Sequence, residues 1–233
     1  TLRGGEGTGG SEFGSLAHWV LSKWDFSKES LSELLPCDNI DESKYEKVLI
    51  KVPYELREEF RSVFSRKQIR EILSDYAMSE EGKRLSAFLS RKGETRLWRE
   101  TPFRVLDDGL LMVGSTDIFW EEADRICLRD WKTTTEETAP GEYYVEQLKF
   151  YAYAMYVFRK EKGLPEKMIE IGINYLRSPS QKKKIIEMSG EALSSTGEKV
   201  HGAAVSALSD IFEARYELCS RCPWGDICSK KHV

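Results

Sequence analysis

Asp130 and Lys132 stand two residues apart, just after Ile126-Cys127-Leu128-Arg129, a segment whose apolar residues suit a strand. In a strand such residues point the same way, so a carboxylate and an ammonium share one face. Asp117 lies on the preceding apolar stretch, across a short polar turn, where hairpin geometry can set it beside Asp130. Two neighbouring carboxylates repel each other unless a cation neutralises them. Oxygen ligands of this kind suit Mg²⁺ or Mn²⁺, which keep several waters and share the rest of their shell with phosphate. Such an ion lowers the pKa of a bound water and offsets charge developing on a phosphoryl group, and Lys132 beside that water can position it. Asp-x-Lys alone is a weak signal, and a surface salt bridge is its plainer reading.

Four further groups of residues could join that chemistry. His18 is an imidazole on a helical stretch, open to reading as a ligand or as a packed histidine. Glu100 stands before a Thr-Pro-Phe segment and could equally be a strand-end salt-bridge partner. Gln147 and Tyr151 are one helical turn apart, so an amide and a phenol project from one face, towards a shared site or simply into packing. Cys219, Cys222 and Cys228 form C-x2-C-x5-C near the end, followed by Lys230 and Lys231, while Cys37 and Cys127 are isolated. Without a visible secretory leader, clustered cysteines point to metal rather than to disulfides.

The elements that must position these residues are legible in outline. Leu16, Val20, Leu21 and Trp24 repeat with helical spacing over Ser15 to Trp24. A mostly helical stretch follows from Ser30 to Ser90, broken near Pro36 and Pro53, and reads as an insertion that covers or flanks the core. Arg96 to Leu106 and Leu110 to Trp120 form a predicted β-hairpin about Asp107-Asp108-Gly109, and a polar turn, Glu121 to Asp124, leads into a strand from Arg125 to Lys132. A loop over Thr133 to Gly141 precedes a helix from Tyr143 to Lys162; Ile169, Ile171, Ile173 and Tyr175 then alternate as a half-buried strand, with a shorter strand near Lys184 to Met188. A final helix carries Val200, Ala204, Leu208 and Ile211 on one face. The order predicts an α/β core with mixed strand directions. Four segments follow: a linker or cut end at 1–13, an N-terminal helical part at 14–92, a core at 93–217 and a cysteine-rich tail at 218–233.

Composition sets the limits. The chain has 233 residues, 40% hydrophobic and 32% charged, enough for one good-sized core and unlike a disordered or membrane protein. It contains neither a bilayer-length apolar run nor a basic-then-apolar leader, which predicts a cytoplasmic location and no membrane partner. A net charge of -4 argues mildly against nucleic-acid binding. A carboxylate-rich metal centre softens that objection, because the ion reverses the local sign. Local basic runs, Lys182 to Lys184, Arg91–Lys92, and Arg61, Arg66, Lys67 and Arg70, read more readily as solvated faces.

Taken in order, the motifs resemble the nuclease domains of the RecB/AddA/AddB family of the PD-(D/E)xK superfamily. Gly14-Ser15-Leu16-Ala17-His18 resembles G-x-x-x-H, Glu100-Thr101-Pro102-Phe103 resembles E-x-P-F, and Gly114-Ser115-Thr116-Asp117 resembles G-x-x-D. Asp130-Trp131-Lys132-Thr133 resembles the D-Y/W-K-T strand end, and Gln147-Leu148-Lys149-Phe150-Tyr151-Ala152 the Q-L-x-x-Y-A helix. The resemblance implies a restriction-endonuclease-like core, a mixed central sheet flanked by helices, with a helical insertion and a C-terminal cysteine clasp. It implies metal ligands His18, Asp117, Asp130 and the Trp131 backbone carbonyl, and a catalytic set of Asp117, Asp130, Lys132, Gln147 and Tyr151, with Glu100 in support.

The resemblance extends to the cysteines. In AddB-like members and related CRISPR-associated nucleases, three late cysteines join an early one around a 4Fe–4S cluster. That early cysteine precedes the G-x-x-x-H helix, whereas here Cys37 follows His18. Cys37 substitutes, or the fourth ligand lies upstream, or the cluster is absent; zinc held by the three cysteines with His201 or His232 is the alternative. The function implied is a Mg²⁺- or Mn²⁺-dependent deoxyribonuclease, exonuclease rather than endonuclease, acting on single strands or duplex ends. Its partners would be a helicase domain in the same parent chain and a second subunit, in double-strand-break repair. No G-x-x-x-x-G-K-S/T loop is present, so the segment has no ATPase site of that type. The rival readings are a catalytically silent DNA-end-binding module and a structural domain with a zinc-binding tail.

Overall fold

The computed structural model describes residues 11–36, 40–90, 96–135, 142–178 and 185–209. Thr1 to Gly10, Cys37, the Arg91–Lys92 pair, Lys182 to Lys184, Ile211, His232 and all three tail cysteines lie outside the described residues.

The N-terminal part is a stack of short helices with local start signals. Helix α1 (Ser11–Lys23) buries Phe13, Leu16, Ala17, Val20 and Leu21, the stripe its spacing predicts. Hydroxyl or carboxylate caps open α2 (Lys28–Leu34, Ser27), α3 (Glu42–Leu49, Asp41), α5 (Val63–Met78, Ser62) and α6 (Glu80–Leu89, Ser79), each accepting from otherwise orphaned N–H groups. A 3₁₀ turn, Tyr54–Leu56, runs into α4 (Arg57–Arg61).

The sheet follows: β1 (Leu97–Asp107), β2 (Leu110–Glu121), β3 (Arg125–Lys132), β4 (Met168–Tyr175) and β5 (Ile185–Met188), with α7 (Glu142–Glu161) between β3 and β4 and α8 (Gly190–Leu208) after β5. Strand order is β1-β2-β3-β4-β5. All neighbours are antiparallel except β3 and β4, which run parallel across the α7 crossover. The β1–β2 turn has Asp108 at φ 44° and Gly109 at φ 81°, both left-handed, as a tight hairpin with right-handed strand twist requires. This is the mixed, helix-flanked α/β core that the sequence predicts.

Both faces of β3 are covered, and six consecutive residues from Ile126 to Trp131 are buried. Cys127 and Trp131 share a core with Ile118, Trp120, α1 and the helices through α6. Ile126 and Leu128 face the other way, with Ile169, Ile171 and Ile173, onto Leu148 and Ala152 of α7 and Leu193 of α8. The helical part predicted to flank the core therefore forms one whole side of it.

A buried ionic network ties that side to the sheet. Arg129 is 1% exposed; its Nε donates to Glu81 on α6 at 2.6 Å, and its Nη2 donates to Glu170 on β4. Arg84 on α6 reaches Glu170 at 3.2 Å and Glu122 at 3.0 Å, and Arg125 reaches Glu170 at 3.1 Å.

Helix α8 departs from expectation. Its packed residues are Leu193, Thr196 and Gly197 in the first half, whereas Leu208 is 86% exposed and Ala204 only partly covered. The apolar periodicity was read correctly as helix, but among the described residues nothing lies against its C-terminal end.

Candidate active site

The sheet end where β1, β2 and β3 meet α1 collects most of the residues singled out above. Asp117 and Asp130 fall opposite one another, just beyond the last β2–β3 pair, Ile118 with Arg129. There the ladder gives way, and the Trp131 N–H donates to Asp117 Oδ2 at 2.7 Å. The Trp131 carbonyl accepts from His18 Nε2 at 2.9 Å, which puts the neutral-ring proton on Nε2 by inference from the partner. The backbone of Trp131 is thus held on both its N–H and its carbonyl by two site residues. Its indole is buried and donates to Tyr76 Oη at 3.3 Å, an oxygen that also accepts from Asn174 at 2.9 Å.

His18 Nδ1 turns towards carboxylates: 3.4 Å from Glu100 Oε1 and 3.7 Å from Asp117 Oδ1. Glu100 gets there by an unusual backbone, φ 43°, in the middle of β1. Leu97 before it packs on the α1 side, whereas Phe103 and Val105 after it pack against α7, so the side-chain alternation changes phase between them. That conformation costs an L-residue roughly 1–3 kcal/mol and persists only where its surroundings impose it. The glycine of the second motif has a contact reason: a Cβ on Gly114 would meet the Phe103 ring at 2.6 Å, whereas one on Gly14 would lie at ordinary contact distance, 3.4 Å, from Thr133 Oγ1.

Asp130 is buried and ion-paired with Lys132 Nζ at 2.7 Å, yet its Oδ2 has no aligned hydrogen-bond donor. That ammonium is the charge that offsets the buried carboxylate. Lys132 also lies 4.3 Å from the Tyr144 ring centroid. On α7, Gln147 Nε2 donates to Tyr151 Oη at 2.9 Å, so the predicted shared face exists and the two side chains meet.

Burial pushes the Asp117 carboxyl up to about 6, with Asp130 and Glu100 adding to it and His18 and the Trp131 N–H opposing. Burial lowers the His18 pKa, but the Glu100 hydrogen bond and the Asp117, Glu100 and Asp130 charges outweigh it, and the net shift is upward. Tyr151 is raised, by burial first and then by Asp130. Negative groups crowded this way accept a cation readily.

One ligand atom from each of His18, Glu100 and Asp117 lies within 4.8 Å of the others. The donor set, one imidazole and two carboxylates, fits a divalent ion, and Asp130 lies opposite Asp117 across the β2–β3 pair. Glu100, expected in support, stands among the converging donors. Asp130 and the Trp131 carbonyl, expected as ligands, lie beside this set, the first ion-paired with Lys132 and the second accepting from His18. His201, an alternative zinc ligand, lies 2.8 Å from Asp107. Cys37, Cys219, Cys222 and Cys228 are outside the described residues.

A sequence-family profile, the PD-(D/E)XK nuclease superfamily, matches residues 2–229. No curated protein sequence matches significantly. Among solved structures the chain is similar to one described as "Crystal structure of SSO0001", at 13% identity, covering 87% of this chain and 86% of that one with a TM-score of 0.36.

Proposed function

Since the chain belongs to the PD-(D/E)XK nuclease superfamily, by a match over residues 2–229, we propose that it hydrolyses phosphodiester bonds of DNA using Mg²⁺ or Mn²⁺. The observation that carries this reading is the convergence of His18, Glu100 and Asp117 within 4.8 Å, beside the Asp130–Lys132 pair. A divalent ion there would supply an activated water and neutralise charge on the phosphoryl oxygens. The chain's own residues do the rest. His18, Glu100 and Asp117 would hold the ion, and the Trp131 backbone orients His18 and Asp117. Lys132, steered by Asp130 and the Tyr144 ring, presents an ammonium to the attacking water or the phosphate. The Gln147–Tyr151 pair fixes a phenol near the same charges. An open groove lined by Ser15, Ser22, Lys23, Lys51 and Glu100 among others leads away along α1, and its two lysines suit a phosphate backbone.

The finer assignment rests on the motifs. We place the chain with the RecB/AddA/AddB-like nuclease domains, as an exonuclease coupled to a helicase and a partner subunit in double-strand-break repair. The C-x2-C-x5-C spacing and that resemblance support an iron–sulfur cluster on Cys219, Cys222 and Cys228, with Cys37 the candidate fourth ligand and zinc the alternative. A brown colour after anaerobic purification, lost in Cys222→Ser, tests it.

The deciding experiment is cleavage of end-labelled single- and double-stranded DNA with Mn²⁺, with chelator, and with Lys132→Ala or Asp130→Ala. Cleavage that stops with chelator and in both variants, while far-UV spectra stay native, supports the reading. Undiminished cleavage by either variant means that the centre lies elsewhere.

A further inference from the structure

Beside the site, on the α7 side of β1 and β2, lies a cavity of ≈ 570 Å³ that the chemistry above does not use. That falls within the roughly 300–1,000 Å³ typical of small-ligand pockets. Its walls are aromatic and apolar: Trp98, Phe103, Phe119, Tyr151, Met155 and Phe158. Trp98 stacks on Phe119 with centroids 4.7 Å apart and planes 13° from parallel, yet stays 38% exposed, so an aromatic face remains open. Phe158, also on this wall, is 43% exposed. Arg104 also lines the cavity and is exposed, and among the described residues it has no ion pair.

The cavity adjoins the proposed centre through Tyr151. Tyr151 belongs to both: its ring packs edge-on against Phe103 at 5.3 Å, while its phenol is held by Gln147 and senses Asp130. Thr101 and Thr116, which also line the cavity, adjoin Glu100 and Asp117 in sequence. The phase change at Glu100 is what turns Trp98 and Phe103 onto one wall while the carboxylate faces His18.

We propose that this cavity binds one unpaired nucleobase of the substrate strand, next to the scissile phosphate. The inference rests on the DNA-hydrolysis reading and narrows its substrate to a strand unpaired at that nucleotide. Stacked aromatics take any base by its face, and an arginine at the wall adds attraction to the base or its phosphate. A base still paired in a duplex cannot enter, because its partner occupies one edge and its neighbours cover both faces.

The test uses the full chain and two readouts, Mn²⁺-dependent cleavage and binding of fluorescein-labelled oligothymidylate followed by anisotropy without metal. A single abasic nucleotide is moved along the strand. Wild type should lose about tenfold in affinity at one position near the cut, and little elsewhere. Trp98→Ala should bind the intact strand about tenfold more weakly and become insensitive to that abasic position, whereas Trp98→Phe should retain most of the affinity. A flat abasic scan on wild type that still cleaves overturns the base pocket and leaves the nuclease reading standing. So does a Trp98→Ala protein that binds like wild type and keeps its abasic sensitivity. Absence of any cleavage by wild type fails the nuclease reading itself, and the pocket falls with it.

Discussion

At Glu100 a carboxylate is delivered by a left-handed backbone to a point 3.4 Å from an imidazole. Such strain in a strand interior has a physical meaning only if the delivered group does something there. Glu100→Gln, which keeps shape and removes charge, should weaken Mn²⁺ binding by about tenfold or more in calorimetry, comparably to His18→Ala. Unchanged affinity with slower cleavage would return Glu100 to a supporting role. Asp117 carries the complementary cost, since its carboxyl is buried and pushed up to about 6. Charging it at pH 7 opposes folding, so Asp117→Asn should raise the melting temperature of chelator-treated protein while abolishing cleavage. An unchanged or lower melting temperature would show that the Trp131 N–H and His18 already offset the charge. The motif residues themselves were legible, because alternation places Asp130 and Lys132 on one face and helical spacing brings Gln147 to Tyr151. The convergence of Glu100 was not, since a single φ reversal leaves no trace in a hydropathy pattern.

Elements show the same division between what pattern reveals and what contact decides. The β1–β2 hairpin and its Asp-Gly turn, β3, α7 and β4 follow from alternation, turn chemistry and helical period. The Arg129–Glu81–Glu170–Arg84 network does not, because charged residues in sequence read as solvated faces and only tertiary packing buries them. Helix α8 is the other case. Its hold on the molecule lies at Gly197, where a Cβ would meet the Tyr153 ring at 2.5 Å, and at His201, 2.8 Å from an Asp107 oxygen that the Tyr153 hydroxyl also reaches. The ring cannot step aside without losing Asp107. Gly197→Ala should therefore destabilise by roughly 1–3 kcal/mol through overpacking, despite Ala being the better helix former. Urea unfolding measures it. A gain in stability would mean that the ring yields freely and that Asp107 does not hold it.

Across the whole molecule, the helical part and the sheet share one interior rather than touching as neighbours. Trp120 and Trp131 are fully buried beneath helices from α1 to α6, and Glu170 on β4 binds Arg84 on α6 as well as Arg129 and Arg125 on β3. Intact protein should therefore melt in a single transition. Glu170 makes that cooperativity pH-dependent. Burial alone would raise its pKa, but the hydrogen bond from Arg129 and the charges of Arg129 and Arg84, with a further bond from Arg125, pull it from 4.5 to about 2. A carboxylate depressed in the folded state adds stability that is complete above its unfolded pKa and disappears as pH falls through its folded one. Between pH 4.5 and about 2 the protein should lose on the order of 2–3 kcal/mol from this group. Glu170→Gln should lower the melting temperature at pH 7, because three arginines lose a shared partner, and should flatten the acid limb over that same interval. Parallel acid limbs in the two proteins would show that Glu170 is not what couples the helices to the sheet.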